Sequence, residues 1–182
     1  MEFELAETIP IIARPTTNTS ADDPPVELRA ITLRQLCAVE ANIIRRCIKE
    51  GWTDRDGKAL TPETVTLYDA NKYVILPFTK KDQKSFVSCL PSTAGPQPPR
   101  FFVSHWWGES VSDFISCVKQ FIEDFSANEC DEDERRGGGM TADTPIWICA
   151  YGNNQWALGG VFLMIRRNLA SQRSCTSQKI GP

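Results

Sequence analysis

The sequence predicts an α/β fold in which a helical N-terminal region precedes a partial parallel β-sheet. Short apolar segments at 101–103 and 146–150 flank a one-sided apolar stripe over 111–125, which is the strand–helix–strand pattern of a βαβ unit. Since such crossovers join parallel strands, the two strands are expected to be neighbours that point the same way. Helical periodicity over 33–50 predicts the helix that opens the N-terminal region.

The composition excludes several classes of function. The 182 residues are 41% hydrophobic, which is enough to bury a core. The net charge of -3 argues against a nucleic-acid binder, which would carry a basic surplus. The purely apolar runs, such as 161–165, are far shorter than the roughly 20 residues of a membrane span, and the acidic N-terminus lacks a signal-peptide pattern. We expect a cytoplasmic protein that binds neither nucleic acid nor membrane.

The cysteines and the histidine do not suggest a metal site. There are seven cysteines without a CxxC pair, and His105 is the only histidine. This set suits neither an ordinary zinc site nor a complete disulfide framework. A nucleophilic pair would need Cys149 or Cys117 beside His105, and the place of Cys149 inside the predicted strand favours an inert core thiol. No metal and no catalytic residue is assigned.

Changes in composition along the chain predict its domain organisation. Prolines and small polar residues mark the first residues, and a segment with four prolines and one glycine in ten residues interrupts the middle of the chain. The predicted parts are a disordered leader over 1–30 with a short strand at 9–13, a helical region over 31–90, a proline-rich linker over 91–100, a partial α/β domain over 101–167 with an acidic loop at 126–143, and a polar tail over 168–182.

Capping signals set the predicted helix ends. Thr32 and Gly51 bracket the first helix as N-cap and C′ residue. Thr61-Pro62-Glu63 predicts the start of a short second helix through Asn71. Residues 73–76 continue that helix or form a short strand, Pro77 ends either, and a third helix is predicted over 80–89. Ser110, with Asp113 three residues on, predicts the cap of the helix over 111–125.

Polar and aromatic residues follow both predicted strands at the same end. Ligands of open parallel sheets bind at this edge, and the helix over 111–125 directs its positive end there. The candidate ligand-binding residues are Ser104, His105, Trp106, Trp107, Tyr151, Asn153, Asn154, Gln155 and Trp156. They suit a nucleotide or another planar, anionic ligand. The alternative is structural: the tryptophans serve the core, His105 bonds a neighbouring loop, and the asparagines form a turn.

The segments FFVSHWWGES and PIWICAYGNNQW resemble a large family of protist proteins and, more distantly, the Toll/interleukin-receptor (TIR) superfamily with its fungal heterokaryon-incompatibility (HET) domains. The resemblance covers about residues 30–158. It implies a flavodoxin-like α/β domain that serves self-association, signalling or, in some members, cleavage of NAD. By position, it places residues 104–108 in the first edge loop and residues 153–156 in the second.

The NAD-cleaving members use a glutamate on a later helix, which this sequence does not have. No glutamate follows Glu134 and no acid of either kind follows Asp143. A carboxylate is needed to stabilise the cationic sugar formed as the bond to nicotinamide breaks. We therefore expect a truncated interaction or signalling module without a cofactor or catalytic competence, with itself or longer homologues as partners. The alternatives are a hydrolase that binds or cleaves NAD with an acid supplied from elsewhere, and a fragment without independent function.

Overall fold

The computed structural model describes residues 23–90, 96–127 and 139–158. The predicted strand at 9–13, most of the acidic loop and the polar tail lie outside these residues. The strands are β1 (Ile31–Thr32), β2 (Phe101–Val103) and β3 (Pro145–Ile148). The helices are α1 (Leu33–Glu50), α2 (Leu67–Ala70), α3 (Leu76–Thr79), α4 (Phe86–Cys89), α5 (Val111–Ala127) and α6 (Cys149–Gly152), with a 3₁₀ turn at Val26–Leu28 and a π-helical turn at Asn71–Ile75.

The described strands form one mixed sheet in the order β1-β3-β2. Strand β3 pairs in parallel with β2, so that Phe101 lies opposite Ile146 and Val103 opposite Ile148. The predicted side-by-side, parallel arrangement of these two strands is therefore confirmed. Strand β1 pairs antiparallel with the other side of β3 and was not predicted. The observed fold is mixed α/β rather than the all-parallel sheet expected.

Helix α1 has the predicted bounds because both of its ends are specified locally. The Thr32 hydroxyl accepts from the backbone N–H of Gln35, and the Gln35 side chain accepts from the N–H of Thr32. Gly51 follows in the left-handed region with φ 61, where a side chain would be strained. Helix α5 also begins where predicted, since Ser110 Oγ accepts from the Asp113 N–H at 3.1 Å.

The predicted helix start at Thr61 is wrong. The Thr64 hydroxyl accepts from the Thr61 N–H at 2.8 Å and holds residues 61–64 in a turn. Helix α2 begins only after Thr66, whose side chain and Asp69 form a capping box. The Val65 carbonyl accepts from the Val111 N–H at 2.8 Å. This contact with the start of α5 holds the segment before α2 in an extended form.

Residues 71–90 depart from the prediction at two further places. The chain continues as helix through the turn at Asn71–Ile75, so the strand alternative is wrong. Pro77 does not end this helix but lies within the first turn of α3. In the π-helical turn before it, the Leu76 N–H donates to the Asn71 carbonyl, and α3 begins at Leu76, where a proline in the first turn is tolerated. Of the helix predicted over 80–89, only α4 forms. The Asp23 carboxylate accepts from the Ser85 N–H at 2.9 Å and fixes the start of α4.

One hydrophobic core draws on both sides of the predicted linker. Its largest fully buried side chains come from β1, α1, α5, β3 and α6 as well as from residues 65–86. Gln97 joins the two regions, since its backbone donates to the Leu28 carbonyl at 2.9 Å and accepts from the Ala30 N–H at 3.0 Å. The proline-rich segment therefore divides the composition of the chain without dividing its core.

Candidate functional site

The carboxyl ends of β2 and β3 bring a thiol, an imidazole and an indole together at one edge of the sheet. Because Val103 lies opposite Ile148, the residues that follow the two strands start side by side. Nε2 of His105 lies 4.0 Å from Sγ of Cys149. Nε1 of Trp107 donates to the same sulfur at 3.3 Å. We call His105, Trp107 and Cys149 the thiol cluster.

His105 is half-buried and is held mainly by aromatic packing. Its ring centre lies 4.6 Å from that of Phe114 on α5 and 6.4 Å from that of Trp107, to which it is nearly parallel. Burial lowers the pKa of His105 below 6.5, and a weaker interaction with the Val103 backbone opposes only part of this shift. The imidazole is therefore neutral at pH 7. Its Nδ1 is enclosed without a hydrogen-bond partner of good geometry among the described residues.

The sequence analysis disfavoured a cysteine–histidine pair because it placed Cys149 inside a buried strand, and the structure shows that this placement is wrong. Strand β3 ends at Ile148, two residues earlier than predicted, and Cys149 is the half-buried first residue of α6. It is therefore not a core thiol inside a strand. The sequence offered one signal for the early end of β3, namely that the apolar segment at 101–103 has only three residues. Paired in parallel from Ile146 onward, a partner of that length reaches no further than Ile148. Cys117, the other thiol considered, is exposed on α5.

The first loop places its side chains on two sides. Ser104 is exposed, and Trp106 is 72% exposed. The Trp106 indole lies against Gly108, where an added Cβ would come within 2.4 Å of the ring. Trp107 turns inward, its ring centre 5.5 Å from that of Tyr68, and its carbonyl accepts from the Tyr68 N–H at 3.3 Å. The loop thus divides between an outward indole and an inward one.

The amide groups of the second loop bind backbone carbonyls and do not contact the side chains of the thiol cluster. The side-chain nitrogen of Asn154 donates to the Gln83 carbonyl at 2.7 Å. That of Gln155 donates to the carbonyls of Cys149 and Ala150 at 3.2 and 3.1 Å, which holds the α6 turn closed. These amide donors serve the chain's own backbone and are not presented to a ligand.

The aromatic residues of the second loop also have internal roles. Nε1 of Trp156 donates to the Thr79 hydroxyl at 2.9 Å and ties the loop to α3. Tyr151 is fully buried, 5.6 Å from Phe86 between ring centres, and burial raises the pKa of its hydroxyl. Asn153 is half-buried, and its backbone N–H closes α6 on the Cys149 carbonyl. Of the nine candidates, His105 and Trp107 are the two whose side chains the structure places against the sulfur of Cys149.

The described part of the chain shows no group of three or more His, Cys, Asp or Glu side chains that could hold a metal ion. Within the same ranges, none of the helices has the length and apolar character needed to cross a bilayer. The chain matches no known protein family, no curated protein and no solved structure. The description thus rests on the fold and the site alone: this is a mixed α/β protein with a cysteine–histidine–tryptophan cluster at one edge of its sheet.

Proposed function

We propose that the chain is an interaction module of the signalling type that the TIR-like resemblance implies, and that it pairs with a second copy of itself or with a longer homologue. The observation that supports this most is the exposure of two large aromatic side chains on β2 and the loop that follows it. Phe102 is 71% exposed and Trp106 is 72% exposed. Surface aromatics concentrated on one strand are typical of interaction sites.

Strand β2 offers a backbone edge for association. It is the outer strand of the order β1-β3-β2, and β3 is its only neighbour among the described strands. The outer side of such a strand presents N–H and C=O groups that another strand can pair with. A second copy of β2, related by a twofold axis, would supply the same three residues in antiparallel order.

The exposed face of β2 is apolar because its residues alternate between two sides. Phe101 packs against α5, its ring centre 5.6 Å from that of Phe121. Phe102 therefore faces the opposite side of the sheet, where its ring centre lies 5.5 Å from that of Trp147 on β3. We call Phe102, Trp106 and Trp147 the aromatic edge. The aromatic edge therefore lies beside backbone N–H and C=O groups that a further strand can bind. A strand that adds to a sheet uses both the backbone hydrogen bonds and the apolar contacts.

The expected association is weak. Burying one Phe side chain contributes about 1.5–3 kcal/mol, and a twofold contact uses it twice. Trp106 is buried twice in the same contact and contributes about as much again, while association costs at least about 4 kcal/mol in lost translational and rotational freedom. We therefore expect reversible dimers with dissociation constants between about 10 μM and 1 mM.

Sedimentation equilibrium over about 1 μM to 1 mM protein tests the proposal. The variant Phe102→Lys places a charge on the edge strand and should weaken self-association by about tenfold or more. The matched control is Ile48→Lys, because Ile48 is 69% exposed on α1 and is not part of the sheet. It should leave the dissociation constant unchanged. A monomeric wild-type chain over the whole range, or equal effects of the two variants, would refute the proposal.

The proposal also includes a cytoplasmic setting and no turnover of NAD. The five cysteines described, Cys37, Cys47, Cys89, Cys117 and Cys149, are all free thiols, which supports a reducing compartment. The lack of a glutamate after Glu134 supports the absence of turnover. Release of nicotinamide from NAD by the purified chain, measured by chromatography, would contradict this part. Loss of that release in His105→Ala would assign the activity to the shared edge.

A further inference from the structure

We propose that Cys149 is a reactive thiol that His105 activates toward hydroperoxides, so that it becomes a sulfenic acid. This modification site is independent of the self-association proposed above. Its chemistry comes from the thiol cluster, in which one sulfur has a base and a hydrogen-bond donor as neighbours.

The sulfur of Cys149 has a hydrogen-bond donor and a base as direct neighbours. The Trp107 indole N–H donates to the sulfur at 3.3 Å, and a donor aimed at a thiolate stabilises its charge. Nε2 of His105 approaches the same sulfur at 4.0 Å. Nucleophile–base pairs are often this long before a reactant binds, and they shorten as the proton moves. Both neighbours contact the sulfur itself, so the cluster acts directly on the reacting atom.

His105 is in the right protonation state to accept this proton. Burial lowers the pKa of the imidazole and so favours its neutral form, and when that form carries its proton on Nδ1, the Nε2 lone pair faces the sulfur. The ring is fixed in place by packing against Phe114 and Trp107. Its orientation toward Cys149 therefore does not depend on a further polar side chain.

The reaction is a two-electron oxidation with a defined path for the proton. The thiol proton passes to Nε2 of His105, and the thiolate sulfur of Cys149 attacks the nearer oxygen of the hydroperoxide. The S–O bond forms as the O–O bond breaks, and the imidazolium returns its proton to the leaving hydroxide. The sulfur loses two electrons and the peroxide is reduced, so that Cys–SH and H₂O₂ give Cys–SOH and H₂O.

The other described thiols provide internal controls. Cys117 is exposed on α5, whereas Cys149 is half-buried, so exposure alone predicts that Cys117 reacts faster. Burial raises the pKa of Cys37 and of Cys47, which makes both slow. The proposal predicts instead that Cys149 is oxidised faster than Cys117, and that both are oxidised faster than Cys37 and Cys47.

The experiment exposes the full chain to hydrogen peroxide at pH 7 with dimedone present, and follows each cysteine peptide by mass spectrometry. In the native chain, Cys149 should be labelled about tenfold faster than Cys117 or more, and in urea the two rates should become about equal. The variant His105→Gln should lower the Cys149 rate to that of Cys117 or below. Trp107→Phe, which keeps an aromatic ring but removes the N–H donor, should lower it less.

Two results would overturn the proposal. The first is a native Cys149 that reacts no faster than Cys117. The second is a folded His105→Gln chain in which the Cys149 rate is unchanged. If circular dichroism shows that this variant is unfolded, the comparison between native and urea-unfolded wild type decides alone: a native preference for Cys149 that disappears in urea supports the proposal, and equal rates in the native chain refute it.

Discussion

Three glycines provide a test of how rigidly the structure holds its two edge loops. An added Cβ at Gly152 would lie 2.7 Å from Nε1 of Trp147 and 3.0 Å from the Arg29 carbonyl oxygen. Gly152 is buried, and the Arg29 oxygen belongs to the backbone that precedes β1, so this neighbour cannot move without shifting the chain that leads into the sheet. Overpacking of this kind costs about 1–3 kcal/mol, and we expect Gly152→Ala to lose about 2 kcal/mol of stability.

Gly108 is the informative comparison because its added Cβ would come closer to a neighbour, but that neighbour is a side chain that can move. The added Cβ would lie 2.4 Å from the Trp106 ring, a side chain that is 72% exposed and can swing into solvent. Gly108→Ala should therefore cost about 1 kcal/mol or less. Gly139 is the matched control, since its Cβ would meet its nearest atom at an ordinary 3.7 Å. Gly139→Ala should be neutral or stabilise by about 0.5 kcal/mol by restricting the unfolded chain.

Urea unfolding followed by circular dichroism ranks the three variants. With a slope of about 2 kcal/mol per molar urea, Gly152→Ala should lower the midpoint by about 1 M, and the other two should change it by about half that or less. A Gly108→Ala chain that loses as much stability as Gly152→Ala would refute the reasoning. That result would mean that the Trp106 indole is fixed and is not a free part of the aromatic edge.

Two further predictions concern α1. Thr32→Ala removes the hydroxyl that accepts from the Gln35 N–H and should cost about 1 kcal/mol, measured by thermal unfolding. Hydrogen bonds from Arg46 and then Trp52 lower the pKa of Glu50 from 4.5 to about 2. Because the folded pKa is the lower one, this contribution is complete above about pH 4.5 and is lost as the pH falls toward 2. Glu50 is 40% exposed and solvent screens the pair, so Glu50→Gln should cost less than about 1 kcal/mol at pH 7, and its unfolding midpoint should converge with wild type near pH 2.

The sequence predicted the elements whose signals are local. The bounds of α1 follow from Thr32, Gln35 and Gly51, which act within one turn of its ends. The parallel pairing of β2 and β3 follows from an apolar segment on each side of an amphipathic helix and from the chirality of the crossover. In the first case the information lies in neighbouring residues, and in the second it lies in the order of three elements together with a general rule of chain handedness.

The features that were missed depend on distant partners. Strand β1 is only two residues long, too short for a periodicity, and it exists because β3 pairs with it. The extended segment before α2 is held by the Val65–Val111 hydrogen bond. Asn154 and Gln155 look like ligand-facing amides in the sequence, but they bind carbonyls that only the folded chain brings near. The position of Cys149 was missed for the same reason, since the length of β2 determines where β3 stops.

The two proposed sites use alternate residues of one segment, and this separates them experimentally. Phe102 and Trp106 point outward and belong to the aromatic edge, whereas His105 and Trp107 turn inward to the sulfur of Cys149. Phe102→Lys should therefore weaken association and leave the oxidation rate of Cys149 unchanged. His105→Gln should slow oxidation and leave association unchanged. A one-residue shift in the pairing of β2 with β3 would exchange these two faces. A Phe102→Lys chain that stays associated but loses the fast reaction of Cys149 would thus show that the strands pair in a different register, and both proposals would fail together.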